Sequence, residues 1–192
     1  PEYVIVKERT GTGQWSVQST SLSAATKVVH LQSTDAEATK ADHFNSTLPT
    51  STVFSVGTSG NTNGNTNTFI AYCFHSVDGY SKIGSYVGNN NADGPFVYTG
   101  FRPAWLMVKA YSTGGTHYDW AIYDSVRSPT NPIGAVLEAN QTQQEITGTG
   151  RGLPIDFLSN GFKLRSSYAE SNANSVSYLY LAFAEQPVKF SN

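Results

Sequence analysis

Hydrophobic positions fall in short runs separated by clusters of Gly, Asn, Ser and Thr, a pattern of strands and turns. In the first run Tyr3, Ile5 and Lys7 alternate with Val4 and Val6, which predicts a strand with one aliphatic and one mixed face. The runs 69–74 and 178–183 are continuously apolar and predict central strands buried on both faces. Helical periodicity is weak throughout. Its best stretch, residues 33–43, carries mainly Ala at its apolar positions and supports a helical turn, not an amphipathic helix.

The runs occur twice, in the same order. Pro1-Glu2-Tyr3-Val4-Ile5-Val6-Lys7 matches Pro103-Ala104-Trp105-Leu106-Met107-Val108-Lys109 at an offset of 103 − 1 = 102. Trp15-Ser16-Val17 matches Trp120-Ala121-Ile122 at 120 − 15 = 105. Phe54-Ser55-Val56 then faces Phe162-Lys163-Leu164 at 162 − 54 = 108, and residues 69–74 face 178–183 at 178 − 69 = 109. The offset only grows, as short insertions in surface loops of the second copy would make it do.

The chain divides accordingly into repeat one (1–75), a bridge (76–102), repeat two (103–185) and a tail (186–192). In the bridge, 82–88 and 96–101 flank Asn89-Asn90-Asn91-Ala92-Asp93-Gly94-Pro95, which predicts a hairpin with a tip that tolerates positive φ. Each repeat alone offers too few strands to cover a core. The expectation is one all-β domain, a two-sheet antiparallel sandwich of jelly-roll or concanavalin-like type, with the two repeats interleaved.

Composition narrows the function. Only 14% of residues are charged, and hydroxyls and amides supply the missing surface polarity. The formal net charge is −2 with no Lys/Arg run, so nucleic acid is not an expected partner. No apolar stretch reaches membrane-spanning length, and no membrane partner is expected. The chain opens without Met directly on a strand-like run, which suggests processing or a segment of a longer polypeptide. The single cysteine, Cys73, excludes an intrachain disulfide and reads as a buried core residue.

Motifs of catalysis are missing. His30, His43, His75 and His117 show no zinc-ligand spacing, and no nucleophile elbow or P-loop occurs. Gly148-Thr149-Gly150-Arg151-Gly152 lacks the Lys-Ser/Thr ending of a phosphate loop and reads as a flexible connection. The carboxylates, among them Asp119, Asp124, Glu138, Asp156 and Glu170, are spread among loops and strand ends, with no spacing that pairs two on one strand face. The chain is therefore expected to be no enzyme and to use no metal or cofactor. The Asn-rich turns, with a single carboxylate at Asp93, are poor calcium cages.

Two segments stand out as candidate ligand contacts. Trp120, Tyr123, Asp124 and Arg127 place aromatic faces beside an acid and a guanidinium near a strand end. Asn89, Asn91 and Asp93 crowd the bridge turn. The competing readings are a core tryptophan, an Asp–Arg pair that fixes the loop, and ordinary Asn turn chemistry.

The stretches 69–74, 79–86 and 93–105, with Trp120-Ala121-Ile122-Tyr123-Asp124-Ser125 and 157–162, resemble a domain of tailed-phage structural proteins, especially marine and cyanobacterial ones. The block from Asp93-Gly94-Pro95-Phe96 to Ala104-Trp105 is the most specific part. That resemblance implies a virion-surface β-domain and transfers no catalytic residues. The leading expectation is a capsid decoration, head-fibre or tail-fibre component that binds other virion proteins or copies of itself in a homo-oligomer. The alternatives are a carbohydrate-binding module for a host-surface glycan and a polysaccharide hydrolase.

Overall fold

The computed structural model describes residues 1–147 and 153–186. The glycine-rich run 148–152 and the tail beyond residue 186 lie outside the described residues. Among the described residues thirteen strands form three antiparallel sheets, joined by two single-turn helices, so the expected all-β sandwich is what forms.

Repeat one makes the first sheet by itself. Its strands are β1 (Tyr3–Glu8), β2 (Ser16–Ser19), β3 (Lys27–His30), β4 (Ala38–Thr39) and β5 (Phe69–Phe74), ordered β4-β3-β2-β1-β5. After α1 (Gly60–Asn63) and β5 the bridge supplies β6 (Ser81–Val87) and β7 (Phe96–Tyr98). Repeat two continues with β8 (Pro103–Ala110), β9 (Ala121–Asp124), β10 (Val136–Glu138), β11 (Ile155–Leu158), β12 (Gly161–Leu164), α2 (Ala169–Asn172) and β13 (Ser177–Ala184). The second sheet runs β10-β9-β8-β13-β6, and the third β11-β12-β7. Apart from the outer strands β4 and β6, the first two sheets have one topology, with β1, β2, β3 and β5 answering to β8, β9, β10 and β13.

Strand periodicity explains the layering. Tyr3, Ile5, Met107, Leu179 and Leu181 meet in one core between the first and second sheets. The alternate residues of the second sheet, including Leu106, Val108, Tyr178 and Tyr180, pack on Phe157, Phe162 and Leu164 of the third. The second sheet is thus buried on both faces, as its continuous apolar runs require. Val4, Val6 and Val28 turn the other way, under Phe44 and Phe54 of the long loop before α1.

Four expectations need correction. The sandwich has three sheets where two were expected, and the repeats do not interleave: among the described strands β1 pairs with β2 and β5 inside repeat one, and β8 with β9 and β13 inside repeat two. The bridge is no hairpin, since β6 pairs with β13 while β7 pairs with β12 in a different sheet. Residues 33–43 form no helical turn; Ala38–Thr39 adds a short strand to β3. Finally, β5 is an edge strand whose middle is exposed, and Cys73 is exposed with it. Its counterpart β13 is central, flanked by β8 and β6 and packed on both faces between the first and third sheets.

The duplication extends further than the strands. The offset 169 − 60 = 109 carries α1 onto α2, and Thr66 and Ser175 share a left-handed backbone at φ 66° and 59°. Asn63 donates to the Gly57 carbonyl at 2.8 Å and Asn172 to the Ser166 carbonyl at 2.7 Å. One turn geometry is therefore used twice.

Candidate functional site

Strand β9 carries the first group of candidates. Trp120, just before it, is 1% exposed and Tyr123 is fully buried. The Trp120 indole N–H donates to the His30 carbonyl at 3.0 Å. Burial pushes the Tyr123 hydroxyl pKa up, and Glu170 beside it adds to that. Neither ring offers a face to a sugar. Asp124 Oδ1 accepts from the backbone N–H groups of Val126 and Arg127 at 2.7 and 3.2 Å. Arg127 turns to Glu145 and to the Ile122 carbonyl. The loop is fixed by these separate contacts, in place of the expected Asp–Arg side-chain pair.

The second group is an ordered surface turn. Asn89 Oδ1 accepts from Asn91 N at 3.0 Å, and Asn91 Oδ1 from Asp93 N at 2.8 Å. Asn172 of α2, fully buried, accepts from Asn89 N and donates to Asn89 Oδ1, the Asn91 carbonyl and the Ser166 carbonyl. Asp93 sits 2.8 Å from Lys163 Nζ, which holds its carboxyl below the usual carboxylate range. The amide side chains are thus occupied in stapling the turn to α2.

Between the two groups lies a cluster that sequence reasoning missed. Carboxylate oxygens of Asp119, Glu138 and Glu170, all buried, lie within 4.8 Å of one another. Asn140 and Gln141 donate to Asp119 Oδ1 at 2.7 and 2.6 Å, and Gln143 donates to Glu138. Three such oxygens are hard donors of the kind calcium takes, yet none of the three residues is without a partner. Their burial closes them to a polysaccharide, and the amide side chains tie Asp119 before β9 and Glu138 at the end of β10 to the turn after β10.

The duplication was the signal that could have found it. Ser16 pairs with His30 as Ala121 pairs with Glu138, so His30 and Glu138 are equivalent. Asp119 answers to Gln14 (119 − 14 = 105) and Glu170 to Asn61 (170 − 61 = 109). In repeat one Gln14 N donates to Asn61 Oδ1 at 3.0 Å. The same corner is neutral in one repeat and acidic in the other.

Exposed apolar side chains mark a different surface. Phe96 and Tyr98 project outward from edge strand β7, and Val87 from edge strand β6. Tyr98, 65% exposed, borders a recess of about 190 Å³ with Asp78, Lys82 and Thr99. No described helix is long and apolar enough to cross a membrane.

The model of a family described as a domain of unknown function, DUF7483, matches residues 1–187, and the chain belongs to that family. No curated protein and no solved structure matches it.

Proposed function

We propose that this DUF7483 member is a non-enzymatic structural component of a phage virion, a decoration or fibre domain that works through protein–protein contacts. The observation that carries this reading is the pair of outward aromatic side chains, Phe96 and Tyr98, side by side on edge strand β7, with Val87 exposed separately on edge strand β6. Apolar groups gathered on open edges favour contact with another protein over bare solvent. The low charge and the Ser/Thr/Asn surface agree, because hydroxyls and amides pack against a neighbour at less desolvation cost than ions. The resemblance of its sequence to tailed-phage structural proteins supports a virion surface as the location. The test is immunogold imaging of intact particles with an antibody to the chain. Regular labelling supports the reading, and a chain recovered only free of particles refutes it.

One observation favours a second reading, adhesion to a host glycan. The exposed Tyr98 ring stands beside Asp78, Lys82 and Thr99, an aromatic face ringed by hydrogen-bonding groups. A glycan array separates the two: signal lost on Tyr98→Ala supports adhesion, and a blank array removes it.

A further inference from the structure

Repeat two has two neighbouring strands, supplied by the bridge, that repeat one lacks. Strand β6 lies antiparallel along β13 in a register that includes Tyr178↔Tyr86 and Leu181↔Ile83. Strand β7 lies along β12, pairing Phe162 with Val97. In repeat one, β5 has no strand on its outer side among the described residues. Residues 54–56, the counterpart of 162–164 in β12, form no strand.

The exposed large apolar residues of repeat one lie at those two places. Ile70 and Tyr72, 38% and 42% exposed, sit on β5. Leu48, Val53 and Val56 are exposed where the third sheet has its counterpart. The equivalent of Val56 (164 − 56 = 108) is Leu164, fully buried with β7 at hand.

Backbone phase agrees. Arg9 N donates to the Thr68 carbonyl at 2.8 Å, so Ile70, Tyr72 and Phe74 exchange hydrogen bonds with β1. Phe69, Ala71 and Cys73 then point their N–H and C=O groups outward. Their equivalents, Tyr178, Tyr180 and Ala182, are the residues whose backbone faces β6, in phase with Gly88 N donating to the Val176 carbonyl at 2.9 Å.

We propose that the open edge of β5 is a docking site for an extended segment of a partner polypeptide, laid as residues 81–98 are laid in repeat two. One strand of the segment pairs antiparallel with β5, and the next covers Val53 and Val56. A second copy joined β5 to β5 about a two-fold axis would leave Val53 and Val56 uncovered, so a partner segment fits the exposed residues better. The inference goes beyond the virion reading and rests on the duplication alone.

The partner strand has one freedom that β6 lacks. A Cβ on Gly84 would meet the Tyr180 hydroxyl at 2.7 Å and its ring at 2.9 Å. The counterpart of Tyr180 is Ala71 (180 − 71 = 109), which presents no ring. A peptide of residues 79–100 carrying Gly84→Val therefore fits β5 and is barred from replacing β6 beside β13.

The experiment adds that peptide to the whole chain and follows amide exchange and alkylation of Cys73. The expected result is saturable one-to-one binding, with exchange at Phe69, Ala71 and Cys73 slowed about tenfold or more and alkylation slowed alongside. Ala71→Pro removes only an outward N–H and should keep the thermal midpoint while abolishing binding. No protection at millimolar peptide, or binding that survives Ala71→Pro, overturns the proposal. A dimer of the chain alone that dissociates on Ala71→Pro also overturns it and assigns the edge to a second copy.

Discussion

The indole N–H of Trp120 donates to the backbone carbonyl of His30 at 3.0 Å, and both partners are buried. The bond runs from repeat two to repeat one across the core shared by the first and second sheets. Its equivalent tryptophan, Trp15, is only partly buried and takes Lys7 over its ring at 5.9 Å. One position of the duplicated unit has thus become an anchor between sheets, and the other a partly buried ring that carries Lys7 of β1.

Removing that anchor should cost stability, not ligand binding. Trp120→Phe keeps most of the apolar contact and leaves the His30 carbonyl with the Ser33 N–H as its remaining donor, a loss of about 0.5–1.5 kcal/mol. Trp120→Ala adds a cavity and should cost about 3–5 kcal/mol. Urea unfolding followed by fluorescence of the remaining tryptophans measures both. Equal stability of Trp120→Phe and the parent would mean that the buried bond carries no net weight.

The contact between Gly84 and Tyr180 makes a second prediction. Any side chain on Gly84 must displace the Tyr180 ring, so Gly84→Val should destabilise by roughly 1–3 kcal/mol through overpacking. Tyr180→Ala opens a cavity by itself. The double variant reproduces the pairing available at Ala71 and should be less damaged than the sum, with a favourable coupling of about 1 kcal/mol or more. Additive losses in a denaturation cycle would show that the ring moves aside freely.

Much of this fold could be read from residue pattern, and the unread part has a physical cause. Alternation at residues 3–7 placed Val4 and Val6 opposite Tyr3 and Ile5, which occupy different cores. Residues 69–74 and 178–183 are alike in pattern, yet one strand is an exposed edge and the other is central. Burial of a strand depends on which neighbour reaches it, and only β13 receives β6. Cys73 misled for the same reason. The aromatic candidates Trp120 and Tyr123 are core residues because β9 is covered on both faces. The acidic triad is hard to read from pattern because its members come from segments far apart. The register of β9 with β10 brings Glu138 near Asp119, α2 adds Glu170, and only the comparison of the two repeats points to the corner.

The turn shared by the two repeats allows a paired test. Asn172, fully buried, donates to three acceptors and accepts from Asn89 N, while exposed Asn63 donates to the Gly57 carbonyl. Asn172→Ala should therefore cost about 2–4 kcal/mol and speed amide exchange in the Asn89–Asp93 turn. Asn63→Ala should cost less than about 1 kcal/mol. Similar losses at both sites would deny the stapling role given to Asn172.

Acid should weaken repeat one through His30. Burial lowers its pKa below the ordinary 6.5, and neighbouring His43 and Lys40 push the same way, outweighing a backbone bond to Trp15 and the pull of Asp35. A histidine with a folded pKa below its unfolded one takes up its proton more readily in the unfolded chain. Its neutral form thus costs nothing above the unfolded value, and stability falls as pH drops through about 6.5 toward the folded value. The unfolded value bounds the effect at about 1.4 kcal/mol by pH 5.5, one unit below 6.5. Unfolding free energies at pH 7.5 and 5.5 should therefore differ more in the parent than in His30→Gln, which cannot titrate. An identical pH dependence in the two chains would assign the acid sensitivity elsewhere.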